Sequence, residues 1–319
     1  MTKTLQAAVD VGGTKIYTVL ADEKQQIVAR QKIATLAVAG PEGVIEQLVA
    51  GVEQIMHDFQ AQRNDLTAVG VCIAGFYDWQ QRLLMHSPNL PGWSNVPLES
   101  ILAEKFNLPV LVENDANAAA IGEARLGAGA NQQNVVFVTI STGIGAGLVI
   151  NGQLYRGHCG LAGEFGHIIV QPDGLHCGCG QRGCLETVAS GTAIARQAQK
   201  AILSRHPTRL RTLVKNPTKV TAEEVFRAAR LGDTLAQDII REAVDYLGLA
   251  VVNIINLLNP AVVVLGGGVA QAVEDVVVPL RKIVTECAIS PAAKAVQLEH
   301  AALGEEAGVL GMLSLLQKL

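Results

Sequence analysis

Four groups of residues in this sequence have the types and spacing to do chemistry. In residues 163–186, GEFGHIIVQPDGLHCGCGQRGCLE, His167 precedes Cys177, Cys179 and Cys184, with Glu164 and Glu186 at the two ends. One imidazole and three thiolates fill a tetrahedral shell and leave no position for water, so zinc held there would be structural. His176, directly before Cys177, is an alternative fourth ligand. A redox pair is a second reading, although CxC is not the CxxC of dithiol oxidoreductases. A nucleic-acid zinc finger is a third, and it fits poorly because no basic helix follows. A metal staple would fix Glu164 and Glu186, and carboxylates beside a histidine edge suit the hydroxyls of a polyol. His167 could bind the metal through one ring nitrogen and donate to a sugar hydroxyl from the other.

Two further groups are glycine turns with an equivalent place in each half of the chain. Asp10-Val11-Gly12-Gly13-Thr14-Lys15 and Ser141-Thr142-Gly143-Ile144-Gly145 each lie between apolar β-rich runs. Glycine lets phosphate oxygens approach the backbone N–H groups, Thr14 and Lys15 add donors, and Asp10 is placed to hold hydrated Mg²⁺. The spacing of a Walker loop is absent. Gly266-Gly267-Gly268 ends a third apolar run and offers a flat surface to a purine. Any one turn alone reads as an ordinary glycine hairpin. Two phosphate-gripping hairpins and a glycine platform together are the layout of an actin-like ATPase. The fourth group is Glu113-Asn114-Asp115-Ala116-Asn117, where a strand ends and a helix begins. Asn114 or Asp115 alone reads as an N-cap. Opposite two phosphate turns, Asp115 instead has the place of a base that orients an acceptor hydroxyl and takes its proton late.

Positioning these groups requires a duplicated α/β chain. LQAAVDV, KIYTVLADE and IVARQKIAT read as three strands. Gly40-Pro41 then opens a helix with Val44, Ile45, Leu48, Val49, Val52, Ile55, Met56 and Phe59 at helical spacing. LTAVGVCIAG and PVLVEN read as buried strands, with VPLESILAEKF helical between them, and NAAAIGEARL as a helix stopped by Gly127. The second half repeats the plan with NVVFVTIS, AGLVINGQL and HIIVQ as strands. Capping boxes are expected at Thr221–Glu224 and Thr234–Gln237. A long buried helix through Leu258, the strand AVVVL, the strand VQLEHA and the helix GVLGMLSLLQ close the chain. The reading is an α/β, ribonuclease H-like duplicated fold of two lobes with a cleft between them. Its expected limits are 1–122, completed by a helix over 305–319, and 123–304.

Of the 319 residues 49% are apolar, enough for two cores, and the net charge is −4, which argues against a dedicated nucleic-acid binder. Six cysteines are too few for a disulfide scaffold and suit a reducing, cytoplasmic compartment. Cys72, Cys159 and Cys287 are expected to be buried fillers. The N-terminal run is broken by Asp10 and does not read as a secretory signal. The uncharged stretch 246–270 is interrupted by three Asn, a Pro and three consecutive Gly, so a buried helix and strand are expected rather than a membrane span. Residues 205–219 are basic without an acidic residue and read as a solvated surface excursion.

DVGGTK, ENDANAAAIGE and GEFGH followed by CGCGQRGCLE resemble the ROK family of repressors, open reading frames and sugar kinases. The resemblance covers essentially the whole chain. It implies an actin-like fold, ATP with Mg²⁺, structural zinc, a hexose acceptor and a homodimer or higher homo-oligomer. It matches Asp115 to the catalytic base, and Asn89, Asn114, Glu164, His167 and Glu186 to sugar contacts. It matches His167, Cys177, Cys179 and Cys184 to the zinc ligands, and Gly12 to Thr14 and Thr142 to Gly145 to the phosphate turns. It implies a hexose kinase, with glucose O6 as the leading acceptor, N-acetylmannosamine or N-acetylglucosamine as the alternative, and a non-catalytic sugar sensor as a third reading. The family's repressors carry an added N-terminal helix-turn-helix, for which no room is expected before a phosphate turn at residue 10. Where the family often has a Gly-Pro-Gly-like turn, this sequence has Gly75-Phe76-Tyr77-Asp78, a departure that bears on acceptor preference.

Overall fold

The structure, a computed structural model, describes residues 4–317. Along the chain run β1 (Leu5–Val11), β2 (Lys15–Ala21), β3 (Ile27–Ala34), α1 (Gly40–Asp58), β4 (Leu66–Ile73), β5 (Phe76–Asp78), β6 (Leu83–His86), β7 (Ser94–Val96), α2 (Leu98–Phe106), β8 (Val110–Asn114) and α3 (Asp115–Leu126). There follow β9 (Val135–Ile140), β10 (Ile144–Ile150), β11 (Gln153–Leu154), α4 (Glu186–Ala189), α5 (Gly191–Leu203), α6 (Leu210–Leu213), α7 (Ala222–Arg230) and α8 (Thr234–Leu258). The last elements are β12 (Val262–Gly266), α9 (Val277–Cys287), α10 (Ser290–Ala295), β13 (Gln297–His300) and α11 (Ala307–Leu316). Residues 318–319 of the expected closing helix and residues 1–3 of the N-terminal run lie outside the described residues. Contacts divide the chain into two units. The first holds residues up to Gln133, Gly147–Gly163 and the stretch from Leu303; the second holds Asn134–Ala146 and Glu164–Ala302. The sequence placed that boundary at residue 122, which falls inside α3.

In the first unit one sheet has the order β3-β2-β1-β4-β8. Its β1, β4 and β8 are parallel, while β2 and β3 run antiparallel at one edge. Parallel neighbours need crossovers and helices over their faces. On one face the stripe Val44, Leu48, Val52 and Ile55 of α1, with Leu98 and Leu102 of α2, packs on Val9, Val71 and Val112. The other face carries α3 and α11. These two helices approach backbone to backbone: a Cβ at Gly311 would fall 1.7 Å from the Ala118 carbonyl oxygen, and one at Gly122 would fall 2.3 Å from that of Ala307. Gly311→Ala must part them, and a loss of about 3 kcal/mol in chemical denaturation is the expected result. Beside this sheet lies a small one, β5-β6-β7, which the sequence did not announce.

In the second unit β9, β12 and β13 are parallel neighbours. Helices α5, α7 and α8 pack on one another, and α9 lies on α8 and β13. The uncharged stretch 246–270 forms the end of α8 and all of β12, and no helix among the described residues is long and apolar enough to cross a membrane. The Thr221–Glu224 capping box forms. The one expected at Thr234–Gln237 does not: Asp233 caps α8, accepting from the Ala236 N–H at 2.9 Å. HIIVQ is not a strand. Phe165–His167 is a short 3-10 turn, and Ile169 makes only an isolated bridge to Cys184. The third-strand position is taken instead by the two-residue β11. Cys72 is buried, but Cys159 is half-buried and Cys287 exposed, so the filler reading holds for Cys72 alone. Over 205–219 the cations Arg205, Lys215 and Lys219 are exposed, while Leu210 and Val214 anchor the segment inward.

Candidate functional site

Three parallel strands of the first unit end side by side. Their register aligns Asp10 with Cys72 and Glu113, and Val11 with Ile73 and Asn114. Ligands of open parallel sheets gather at such carboxyl ends. Immediately beyond β1 is the first glycine hairpin, closed by the Gly12 N–H on the Lys15 carbonyl at 2.9 Å. Thr35 braces it, its N–H donating to the Thr14 carbonyl at 3.0 Å and its hydroxyl to the Gly12 carbonyl at 2.7 Å. Beyond β8, Asn114 caps α3: its Oδ1 accepts from the Asn117 N–H at 3.0 Å, and its Nδ2 donates to the Gly75 carbonyl at 3.1 Å. Asp115 is the first residue of α3, with Oδ1 on the Ala116 N–H at 2.9 Å. The cap reading therefore falls to Asn114. Exposed Asn89 sits between β6 and β7, its backbone against Gly13.

Burial raises both carboxyls of this edge. Asp115 is pushed above its ordinary range by desolvation, partly offset by the Ala116 N–H bond. Asp10 is pushed up to about 7, first by burial, then by the like charge of Asp115, with Lys15 pulling the other way. Crowded carboxyls of this kind invite a cation, which fits Mg²⁺ at Asp10. The unfolded chain loses the Asp10 proton near pH 4, but the folded ligand-free protein keeps it to about 7. The folded state thus binds more protons in that window, and stability must fall as pH climbs through it. The loss approaches about 4 kcal/mol by the upper end. Asp10→Asn should flatten this slope when denaturation midpoints are compared at intervals from pH 4 to 8.

Two supports of this edge were invisible in the sequence because their partners are far apart along the chain. Glu113 is 2% exposed and takes the Arg156 Nε at 2.7 Å, the Asn117 Nδ2 at 3.0 Å and the Asn114 N–H at 3.0 Å. Glu305 pairs with Lys15 and, at 2.9 Å, with Lys32; these two ammonium groups hold its carboxyl down to about 2.

In the second unit the turn Ser141–Gly143 opens onto a cavity of about 890 Å³. Ser141, Thr142, Thr192, Phe226, Arg227 and Gly268 are among its walls. Gly267 (φ +85°) bends the chain over the end of β9, where a Cβ would fall 2.4 Å from the Ile140 carbonyl. Gly266 ends β12, and Gly145 is half-buried on β10. A turn of exposed backbone, a hydroxyl, an aromatic ring and a glycine platform around one cavity can take a nucleotide.

The same unit gathers His167, Cys177, Cys179 and Cys184 so that one ligand atom from each lies within 4.8 Å of all the others. The Cys177 Sγ is 3.6 Å from the His167 Nδ1, and the Cys179 and Cys184 Sγ atoms are 3.6 Å apart. Tetrahedral zinc with its usual bond lengths gives edges of about 3.5–3.8 Å between such atoms. The donor set therefore fits a metal ion, and it uses His167 rather than His176, which is exposed and bridged to Arg182. The other ring nitrogen, Nε2, faces the Glu164 carboxylate at 3.8 Å. Glu186 opens α4 two residues after Cys184. Asn89, Asn114 and Asp115 thus belong to the first unit, and Glu164, His167 and Glu186 to the second.

The duplicated strand plan and its turns are those of the actin-like ATPase fold. The crystal structure of a ROK family glucokinase from Streptomyces griseus, in complex with glucose and AMPPNP, superposes with a TM-score of 0.84 over 99% of this chain and 100% of that one, at 36% identity. The glucokinase of Thermotoga maritima is 36% identical over 318 residues, covering 100% of this chain and 99% of its own. A xylose repressor of Bacillus subtilis is 32% identical over 96% of this chain and 75% of its own. The model of the ROK family matches residues 6–319, and the chain belongs to that family.

Proposed function

We propose that the protein is an ATP-dependent hexose kinase that phosphorylates glucose at O6. One observation supports this above the others: Asp115, its carboxyl pushed upward, sits at the same strand edge as a phosphate-type glycine hairpin. A non-catalytic sugar sensor has no use for such a base. In the proposed reaction the sugar is held by Asn89, Asn114, Glu164, His167 and Glu186. ATP lies against the two glycine hairpins, its base on Gly266–Gly268. Asp115 accepts the proton of the O6 hydroxyl as that oxygen bonds to the γ-phosphorus; the bond to the bridging oxygen breaks and ADP leaves. Mg²⁺ beside Asp10 would neutralise phosphate charge, and zinc on the His/Cys cluster would hold the loop that carries Glu164, His167 and Glu186 in place. We further propose a cytoplasmic homodimer or higher homo-oligomer, its subunit number to be checked by light scattering.

The experiment is ADP release with MgATP across glucose, mannose, fructose, N-acetylglucosamine and N-acetylmannosamine. Turnover led by glucose is expected. A preference for N-acetylmannosamine or N-acetylglucosamine would move the acceptor to the alternative reading. Sugar binding without turnover on any of them would support the sensor instead.

A further inference from the structure

Glu186 touches more than a sugar hydroxyl requires. Its Oε2 accepts from the Ile144 N–H at 2.8 Å, so it is bonded to the backbone of the second glycine hairpin. Gly143 lies hard against the same oxygen, which a Cβ at that position would meet at 2.4 Å. Two further bonds reach this hairpin from the following helix, from the Gly191 N–H to the Ser141 carbonyl at 2.7 Å and from the Thr192 N–H to the Thr142 carbonyl at 3.4 Å. All three braces come from residues 186–192, the run that starts two residues after Cys184. The braced residues Ser141 and Thr142 are also walls of the nucleotide-sized cavity.

A carboxylate accepts through two oxygens. With Oε2 on the Ile144 N–H, Oε1 can take a hydroxyl without breaking the brace. We propose that Glu186 is a positioning residue for the donor-phosphate hairpin as well as a sugar contact, so that acceptor and donor raise each other's affinity. This rests on the kinase reading above. A hydroxyl on Oε1 fixes the carboxylate, the carboxylate fixes Ile144, and the hairpin is ordered before the nucleotide arrives. Linkage makes the effect reciprocal. The device leaves ATP weakly held until a sugar is present, which limits its loss to water.

The test is the dissociation constant of AMPPNP with and without saturating glucose, measured by calorimetry on the whole protein. The wild type should bind the nucleotide about 10-fold more tightly with glucose, within the usual span of coupling between sites. Gly143→Ala keeps the carboxylate but pushes it from Ile144, and Glu186→Ala removes it; in both the ratio should fall to about one. Glu186→Gln keeps an oxygen for the Ile144 N–H and should keep the ratio while binding glucose less well. Melting temperatures identify any variant that is merely unfolded, and either of the two disruptive variants suffices. A ratio of one in the wild type, or an undiminished ratio in a folded Gly143→Ala or Glu186→Ala variant, overturns the proposal alone. Failure of the wild type to bind glucose or any other sugar of the panel overturns the kinase reading, and the proposal falls with it.

Discussion

Asp115→Asn is expected to lower kcat for glucose by about 10³-fold, within the roughly 10²–10⁴ that a positioned base contributes, while the glucose KM stays within a few-fold. The substitution keeps Oδ1, so the bond from the Ala116 N–H survives and the start of α3 should not move. The Asn114 cap is untouched, because its partners are the Asn117 N–H and the Gly75 carbonyl. What disappears is the capacity to take a proton. A loss confined to kcat separates that role from sugar binding. The variant has a second signature. The charge of Asp115 is one of the two main causes that push Asp10 up, so its removal should let Asp10 ionise at lower pH. The fall of stability between pH 4 and 7 should then be shallower than in the wild type. Full activity in Asp115→Asn would remove Asp115 as the base, and an unchanged pH slope would show that burial alone holds Asp10 up.

The sequence carried the parts of this molecule that depend on local pattern. The strands around Asp10, the helix opened at Pro41, the Asn114 cap and the Thr221–Glu224 box all rest on period, glycine placement or capping spacing, and each forms. It failed where backbone partners are set elsewhere. HIIVQ has the composition of a strand, but the Val170 and Gln171 N–H groups donate to the Gly183 carbonyl and the Leu185 N–H to the Ile168 carbonyl. That segment spends these hydrogen bonds on the loop that carries the three cysteines rather than on a sheet. Asp233 prevails over Thr234 as a cap because its carboxylate also takes the Thr208 hydroxyl and the Arg209 N–H. Arg156 with Glu113, and Lys15 with Glu305, lie 43 and 290 residues apart, beyond any local pattern. The site was therefore legible in its reacting groups and illegible in what holds them.

That support is most exposed to test at the His/Cys cluster. Cys179→Ser should remove the zinc that we propose, from about one ion per chain to almost none by elemental analysis, and should raise the glucose KM by at least about 10-fold. The loop between Val170 and Cys184 is held by short-range backbone bonds, among them the Cys177 N–H to the Gln181 carbonyl at 2.8 Å and the Gly183 N–H to the Leu175 carbonyl at 2.9 Å. Four side chains converging on one ion would do the rest. Without it the His167 ring loses the anchor at Nδ1 that aims Nε2 toward Glu164. The run that begins at Cys184 and carries Glu186 loosens as well. Because that run also braces the Ser141–Gly143 hairpin, the KM for ATP should rise together with that for glucose. A cluster supporting the sugar contacts alone would leave the ATP value unchanged. Loss of zinc with both constants intact would mean that the cluster staples only its own loop, and that Glu164, His167 and Glu186 are held by the 3-10 turn and α4 without it.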